Sequence, residues 1–304
     1  MPLHFVPLPG VPACELGESP CWLPDERALV WVDIPGHALH EWRQADGGHR
    51  QWALPGEPGC VAPLPGGALL LAARDGLWRF DRRADGGRGG RERLAPPPYD
   101  PAAQRFNDGK CDPQGRLWVG TICDDRSRTD AALYRYAGGR LDRMAGAITV
   151  SNGLAWSPDG TTLYWSDTAA HQIFAIDFDG LDGSLSRRRV WARFDAKPAD
   201  GRLDAYGGRP DGAAVDAEGA YWVAMYEGQQ LLRLAPDGAV LQALPLPVRC
   251  PTMPCFGGDD LRTLFVTTAR KQRPADELAA QPWAGRVLTA RVDVPGLPVH
   301  HAQP

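Results

Sequence analysis

The fold of this chain is decided by the stretch SNGLAWSPDGTTLYWSD, residues 151–167. An apolar run near its start is followed by Pro158-Asp159-Gly160, where proline fixes φ and glycine tolerates positive φ, so that the chain turns tightly. A second apolar run, Leu163 to Trp165, returns antiparallel to the first and ends in Ser166-Asp167. The pattern predicts a β-hairpin.

The second half of this hairpin occurs six times along the chain. The central residues of successive copies are 39, 48, 46, 58 and 43 residues apart. Each copy follows a turn and precedes a third β-like run, and periods of about 40–50 residues with about four strands each are typical of propeller blades. We therefore expect an all-β, six-bladed β-propeller. The copies are Trp31-Val32-Asp33, Leu70-Leu71-Ala72, Trp118-Val119-Gly120, Tyr164-Trp165-Ser166, Trp222-Val223-Ala224 and Phe265-Val266-Thr267.

The six units use nearly all of the 304 residues, so one propeller domain is expected over residues 1–304. A short β-like segment at residues 3–8 is expected to pair with the last blade and close the ring, which would remove an exposed sheet edge. Residues 85–99 are interpreted as an exposed turn and loop. The polar residues after Thr121 are interpreted as a loop placed to act as a lid. The irregular stretch 196–209 is interpreted as a long loop, of a kind that is often functional or mobile.

Composition excludes several function classes. The net charge of −4 offers no basic surface for nucleic acid. No apolar run is long enough to cross a membrane, and the N-terminus has no signal-peptide pattern. Seven cysteines, odd in number and scattered, favour reduced thiols and a cytoplasmic location over a disulfide framework.

Polar side chains occur at nearly the same place in four of the predicted blades, where the innermost strand begins. Innermost strands surround the axis of a propeller, so these side chains should converge on the central channel. Four oxygen donors, two of them carboxylates, suit a hard divalent cation such as Ca²⁺, Mg²⁺ or Mn²⁺. Asn or Asp before Gly often only forms a turn, but the matched depth in several blades favours a site. The four are Glu18, 14 residues before Val32; Asn107, 12 before Val119; Asn152, 13 before Trp165; and Asp211, 12 before Val223.

Several motifs together resemble the regucalcin/gluconolactonase (senescence-marker protein) family over essentially the whole chain. The resemblance implies a six-bladed propeller that hydrolyses sugar lactones with one divalent metal at its axis. The motifs are Gly17-Glu18-Ser19-Pro20-Cys21-Trp22, Arg105-Phe106-Asn107-Asp108-Gly109-Lys110, Gly120-Thr121, Ser151-Asn152-Gly153-Leu154-Ala155-Trp156-Ser157 and Arg209-Pro210-Asp211-Gly212.

The same resemblance implies roles for individual residues. The metal ligands would be Glu18, Asn152 and Asp211, and Asp211 would also be the catalytic acid/base. Arg105 and Asn107 match the substrate contacts of the family. A further family contact is a Glu shortly after the Gly-Thr pair; here Asp125 takes its place, next to Asp124, and either of the two remains open for this role.

The function predicted from the sequence is metal-assisted hydrolysis of a sugar lactone to the aldonic acid. One divalent ion (Ca, Mg, Mn, Zn or Fe) is the expected cofactor, and a small-molecule sugar lactone is the expected partner, with neither nucleic acid nor membrane. Two alternatives stay open: a calcium-binding propeller without enzymatic activity, since fold alone does not decide function, and an esterase or phosphotriesterase on the same scaffold. The polar set Arg105, Asn107, Asp124 and Asp125 favours a hydroxylated substrate.

Overall fold

Six four-stranded antiparallel sheets make up the computed structural model, which describes residues 3–126 and 128–303. Strands that are consecutive in the chain are neighbours in each sheet, as expected for strands joined by short turns. The strands are β1 (Val6–Pro7); in blade one β2 (Gly17–Leu23), β3 (Ala28–Asp33), β4 (Ala38–Arg43) and β5 (His49–Ala53); in blade two β6 (Pro58–Pro63), β7 (Leu69–Ala73), β8 (Gly76–Asp81) and β9 (Gly90–Ala95); in blade three β10 (Gln104–Cys111), β11 (Leu117–Cys123), β12 (Ala131–Ala137) and β13 (Arg140–Ile148); in blade four β14 (Ser151–Trp156), β15 (Thr162–Asp167), β16 (Gln172–Phe178) and β17 (Leu185–Arg193); in blade five β18 (Arg209–Val215), β19 (Tyr221–Tyr226), β20 (Gln230–Leu234) and β21 (Val240–Pro245); and in blade six β22 (Pro251–Gly257), β23 (Thr263–Thr268) and β24 (Leu288–Arg291).

The first strand of each blade lies at the centre of the molecule. β2 packs against β6 and β22, and each of the other first strands likewise contacts the first strands of its two neighbouring blades. The six first strands therefore surround a central axis. The predicted six-bladed propeller is confirmed, and each marker run lies on the second strand of its blade.

The N-terminal strand closes the ring, as predicted. β1 is the outermost strand of blade six and runs antiparallel to β24, with Val6 opposite Thr289 and Pro7 opposite Leu288. Phe5 is buried in an apolar cluster that includes Leu288. The first and last parts of the chain are thus held in one sheet, and blade six has no unpaired edge at β24.

Buried tryptophans pack between the blades, and two of them share the same hydrogen-bond arrangement. Trp118 Nε1 donates to Asp112 Oδ2 at 2.9 Å in blade three, and Trp222 Nε1 donates to Asp216 Oδ2 at 2.8 Å in blade five. Both aspartates are fully buried. Because a buried polar group without a partner costs stability, this repeated bond lets large aromatic residues fill the interior.

The interpretation of residues 85–99 as turn and loop is wrong in part. Residues 90–95 form β9, the outermost strand of blade two, in which Arg91 pairs with Phe80. Most of its side chains are exposed, because an outermost strand has a neighbour on one edge only. Its composition is therefore that of a loop, although its backbone is paired.

The stretch before blade five is irregular over residues 194–208, as predicted. It is nevertheless anchored to the body of the propeller. Tyr206 is buried, and its hydroxyl lies 2.7 Å from Nε2 of His171; Lys197 pairs with Glu227 at 2.9 Å. The loop thus places polar and charged groups beside the start of β18.

The remaining elements are short. The helices are α1 (Ala84–Gly87) and α2 (Ala275–Ala280), and within the described residues no helix has the length and apolar character to cross a bilayer. The C-terminal tail crosses one end of the axis: its backbone N–H groups at Leu297 and Ala302 donate to Val215 and Pro63 of blades five and two. All seven cysteines, each within the described part of the chain, are buried and free.

Candidate active site

Five residues predicted from the sequence meet in one cavity at the end of the axis opposite the C-terminal tail. The cavity has a volume of about 260 Å³, slightly below the roughly 300 Å³ at which pockets for drug-sized ligands begin. It therefore suits a monosaccharide-sized molecule better than a polymer. The five residues that line it are Glu18, Arg105, Asn107, Asn152 and Asp211.

Irregular pairing aims these side chains at the axis. The antiparallel register between the first and second strands shifts next to Glu18 and Asn152, and across Asn107 and Asp211. A bulge leaves residues unpaired and turns their side chains away from the regular alternation of a strand. The side chains thus face the axis at the start of each first strand, where the sheet would otherwise present one face to the neighbouring blade.

Gly153 makes the bulge after Asn152 sterically feasible. Its φ is +63°, and a Cβ atom there would collide with the hydroxyl groups of Ser166 and Tyr221. Tyr221 donates a hydrogen bond to the carbonyl oxygen of Gly153 at 2.7 Å. The position thus needs a residue that has no side chain and adopts the left-handed conformation.

Replacing Gly153 with Ala is expected to lower the free energy of unfolding by about 2 to 4 kcal/mol, because left-handed strain and overpacking add together. The measurement is urea-induced unfolding followed by tryptophan fluorescence. Gly47→Ala is the matched control, since Gly47 has a φ of +66° and no atom within 4 Å of its added Cβ. An equal loss in both variants would show that strain alone, and not the contact with Ser166 and Tyr221, accounts for the effect.

A chain of hydrogen bonds fixes the two amide side chains in the cavity. Arg105 donates to Asn107 Oδ1 at 2.7 Å, and Asn107 Nδ2 donates to Asn152 Oδ1 at 2.8 Å. Asn152 Nδ2 donates to Thr168 Oγ1 at 2.8 Å, and Thr168 donates to the carbonyl oxygen of Pro210 at 2.7 Å. The chain links blades three, four and five, so that each donor and acceptor has a defined direction. Sequence analysis missed Thr168, although it directly follows Asp167 at the end of β15.

The two carboxylates in the cavity are buried and destabilise each other as anions. Burial raises the pKa of Glu18, and the charges of Asp211 and Asp108 raise it further. Burial likewise raises the pKa of Asp211, with Asp108 adding to the effect, while Arg209, Arg126 and Arg105 lower it. Buried carboxylates that repel one another favour a bound cation or a proton.

The oxygen atoms of both carboxylates keep lone pairs available. Glu18 Oε2 accepts one long hydrogen bond, 3.4 Å from the backbone nitrogen of Ser19. Within residues 3–126 and 128–303 no side-chain hydrogen bond to Asp211 occurs. Together with Asn152 they form an all-oxygen donor set at the axis, and such a set fits a divalent cation.

Two arginines to which sequence analysis assigned no role also line the cavity. Arg209 opens the motif that contains Asp211, and Arg126 follows Asp125 in the polar loop after β11. Nothing in the composition of these segments distinguishes an arginine that faces the cavity from a solvated one. Only the arrangement of the blades brings both guanidinium groups to the axial cavity.

The two aspartates of the same loop lie outside the set that lines the cavity. Asp124 forms a two-pronged ion pair with Arg74, with oxygen–nitrogen distances of 2.9 and 3.0 Å. Asp125 is exposed, and its neighbour Arg126 forms the wall of the cavity at this point. A substrate contact by Asp125 stays a prediction.

Another group of metal-binding residue types lies in blade one, at Cys14, Asp33 and His40. Asp33 accepts hydrogen bonds from three backbone N–H groups, and Asp167 does the same in blade four, where the described residues include no such group around it. Burial raises the pKa of Cys14 to about 12 and lowers the pKa of His40 to about 4. We interpret the three residues as a packed structural cluster, because the carboxylate serves the turn here as its counterpart does in blade four.

A second cavity, of about 280 Å³, lies at the other end of the axis under the C-terminal tail. Its walls are mostly apolar, and no carboxylate lines it within the described part of the chain. The Nζ of Lys110 donates to the carbonyl oxygen of Ala213 at 2.7 Å. This end of the channel lacks the donor set that the first cavity has.

Known proteins are similar to the chain over nearly its whole length. The sequence profile of the SMP-30/Gluconolactonase/LRE-like region matches residues 16–270. A 6-deoxy-6-sulfogluconolactonase from Pseudomonas putida is 43% identical over 284 residues, which cover 92% of each chain. A regucalcin from Oryctolagus cuniculus is 31% identical over 295 residues, or 94% of each chain.

A solved structure has the same architecture. A calcium-binding protein, regucalcin, from Agrobacterium tumefaciens superposes with a TM-score of 0.90 at 28% identity and covers 100% of this chain and 99% of its own. The region matched by the sequence profile contains all six first strands and also β11 and β19, and so every strand that carries a cavity residue.

Proposed function

The chain belongs to the SMP-30/gluconolactonase/LRE-like family, and we propose that it opens a sugar lactone to the aldonic acid in the axial cavity with one divalent cation. The enzyme is a lactonase of the gluconolactonase type. The observation that supports the axial cavity is the convergence of two buried carboxylates with an oriented Arg–Asn–Asn chain. Hydrolysis of a lactone needs a group that polarises the carbonyl, a proton acceptor and donors that orient the ring. The cavity contains residues suited to holding the first and to serving as the other two.

Glu18, Asn152 and Asp211 would hold the cation. When bound, a divalent cation acts as a Lewis acid that polarises the lactone carbonyl and stabilises the negative charge on its oxygen. The all-oxygen donor set suits Ca²⁺, Mg²⁺ or Mn²⁺, with Zn²⁺ and Fe²⁺ as further cations to test. The Agrobacterium relative is described as a calcium-binding protein, which supports including Ca²⁺ among these cations.

The residues of the chain perform the remaining steps. Asp211 accepts a proton from the water that attacks the lactone carbonyl carbon, and it returns a proton to the ring oxygen as the C–O bond of the ring breaks. Arg105 and Asn107 orient the hydroxyl groups of the sugar, because both side chains are buried and held by hydrogen bonds. Asp125 would contact the substrate from the loop after β11.

The test is proton release at near-neutral pH with pentono- and hexonolactones, including the 6-deoxy-6-sulfo lactone named for the Pseudomonas relative. The protein is first stripped with a chelator and then resupplied with Ca²⁺, Mg²⁺, Mn²⁺, Zn²⁺ or Fe²⁺. We expect metal-dependent opening of a sugar lactone well above its spontaneous hydrolysis. Tight metal binding with no turnover of any lactone would favour a calcium-binding protein or a different ester substrate.

A further inference from the structure

Positive charge exceeds negative charge among the residues that line the axial cavity. Two carboxylates, Glu18 and Asp211, face three guanidinium groups. A divalent cation held by the two carboxylates would balance their charge and leave the guanidinium groups without a negative partner among the lining residues. A neutral sugar ring supplies hydroxyl acceptors but no negative charge, so the cavity has more positive charge than a neutral lactone requires.

Arg209 is incompletely neutralised. Its guanidinium lies 3.2 Å from Glu227 and above the ring of Tyr226, which lines the cavity. Glu227 is shared, because Lys197 and Arg273 also pair with it at 2.9 and 3.0 Å. Oε2 of Glu227, the oxygen nearest Arg209, makes no hydrogen bond among the described residues. The N–H donors of Arg209 are thus available to a molecule in the cavity.

Arg126 offers a second set of donors at the mouth of the same cavity. Its side chain is exposed, and no ion pair or hydrogen bond of its guanidinium occurs within residues 3–126 and 128–303. Its charge is felt inside the cavity, since it lowers the pKa of both Asp211 and Arg105. In Arg105, by contrast, one guanidinium nitrogen donates hydrogen bonds to Asn107 Oδ1 and to the backbone carbonyl oxygen of Phe106.

We propose that the lactone carries a second, strongly anionic group on a carbon outside the ring, and that Arg126 and Arg209 bind this group. The inference rests on the proposed lactonase function and adds its substrate class. A guanidinium presents paired N–H donors that match the oxygens of a sulfonate or a phosphate. The anion would enter at the mouth beside Arg126, while the ring lies deeper, against Arg105 and Asn107.

The experiment compares kcat and KM for glucono-δ-lactone with those for its 6-phospho and 6-deoxy-6-sulfo forms on the metal-loaded protein. We expect the wild type to prefer one anionic form by about 10-fold or more in kcat/KM, mainly through KM. Arg126→Gln and Arg209→Gln should each lower the ratio of anionic to neutral kcat/KM by about 10- to 100-fold. The Lys variants of both positions should recover part of this ratio.

Arg140→Gln is the matched control. Arg140 is exposed on the outermost strand of blade three and pairs only with Asp142 among the described residues, so its substitution should leave the ratio unchanged. Thermal unfolding of each variant excludes a loss of fold. A preference for the sulfonate or for the phosphate identifies which anion the site selects.

Two results would overturn the inference: equal kcat/KM for neutral and anionic lactones in the wild type, or an unchanged ratio in both glutamine variants. If no lactone is opened, the proposed function fails, and calorimetric binding of 6-phosphogluconate and of the 6-sulfonate then decides the inference alone. Binding of either anion that weakens at least about 10-fold in both glutamine variants supports it, and binding that these variants do not weaken, or no binding, excludes it.

Discussion

Replacing Asp211 with Asn is expected to lower kcat/KM for the preferred lactone by about 10³- to 10⁴-fold and to leave the propeller folded. The substitution keeps the size of the side chain but removes the proton acceptor and one of the two negative charges at the axis. Asn retains one oxygen donor for the cation but cannot accept a proton. Added metal should therefore not restore the activity. The measurements are initial rates of proton release over a range of metal concentrations, together with thermal unfolding.

The control for this prediction is Asp237→Asn, which makes the same chemical change in the same blade. Asp237 lies in the exposed turn between β20 and β21, whereas Asp211 is buried at the axis. We expect the control to retain wild-type rates. If Asp211→Asn keeps more than about a tenth of the activity, a general-base role worth 10²-fold or more is excluded, and another group must accept the proton.

The inner three strands of each blade could be predicted from the sequence, because they are buried and repeat. The marker runs around Trp118, Trp165 and Trp222 are apolar, follow tight turns and recur at blade-like intervals. The outermost strands could not be located in this way. β9 and β17, for example, are mostly exposed and rich in arginine, so their burial pattern carries no period-2 alternation.

The sequence predicted those residues of the candidate site whose positions follow the repeat. Glu18, Asn152 and Asp211 stand at matched distances from the marker runs, so their convergence follows from the blade symmetry. Arg126 lies in a loop outside the repeat, whereas Thr168 stands three residues after the marker residue Trp165, as Tyr226 does after Val223. Ile122 occupies the same place after Val119 and also lines the cavity, so the period marks this position, but its residue type differs from blade to blade.

The bulges explain how a repeated strand supports a site that is not symmetric. The first strands of all six blades shift register near their start, including those of blades two and six. The bulge is therefore a general feature of the blade, and the side chain at the bulge determines which chemical group faces the axis. Polar residues at four of these positions create the donor set, while the remaining blades close the ring around it.

Glu18→Gln is expected to weaken the binding of the divalent cation by about 10²-fold or more, because one of two charged oxygen donors becomes neutral. Activity at low metal concentration should then be lost, and higher concentrations should restore a large part of it, since Glu18 does not accept the proton. This recovery separates Glu18 from Asp211. Calorimetric titration with Ca²⁺, Mg²⁺ and Mn²⁺ and the metal dependence of the rate are the two measurements.

The stability of the same variant provides an independent readout. Without metal, Glu18→Gln should unfold at the same or a higher temperature than the wild type, because Asp211 and Asp108 then face a neutral side chain. With metal, the wild type should gain more, since a ligand that binds only the folded state stabilises it in proportion to the logarithm of its concentration over Kd. Glu92→Gln, on the exposed strand β9, should change neither value. Identical metal affinity in Glu18→Gln and the wild type would show that the cation binds elsewhere. The two buried carboxylates would then lack a cation to offset their mutual repulsion.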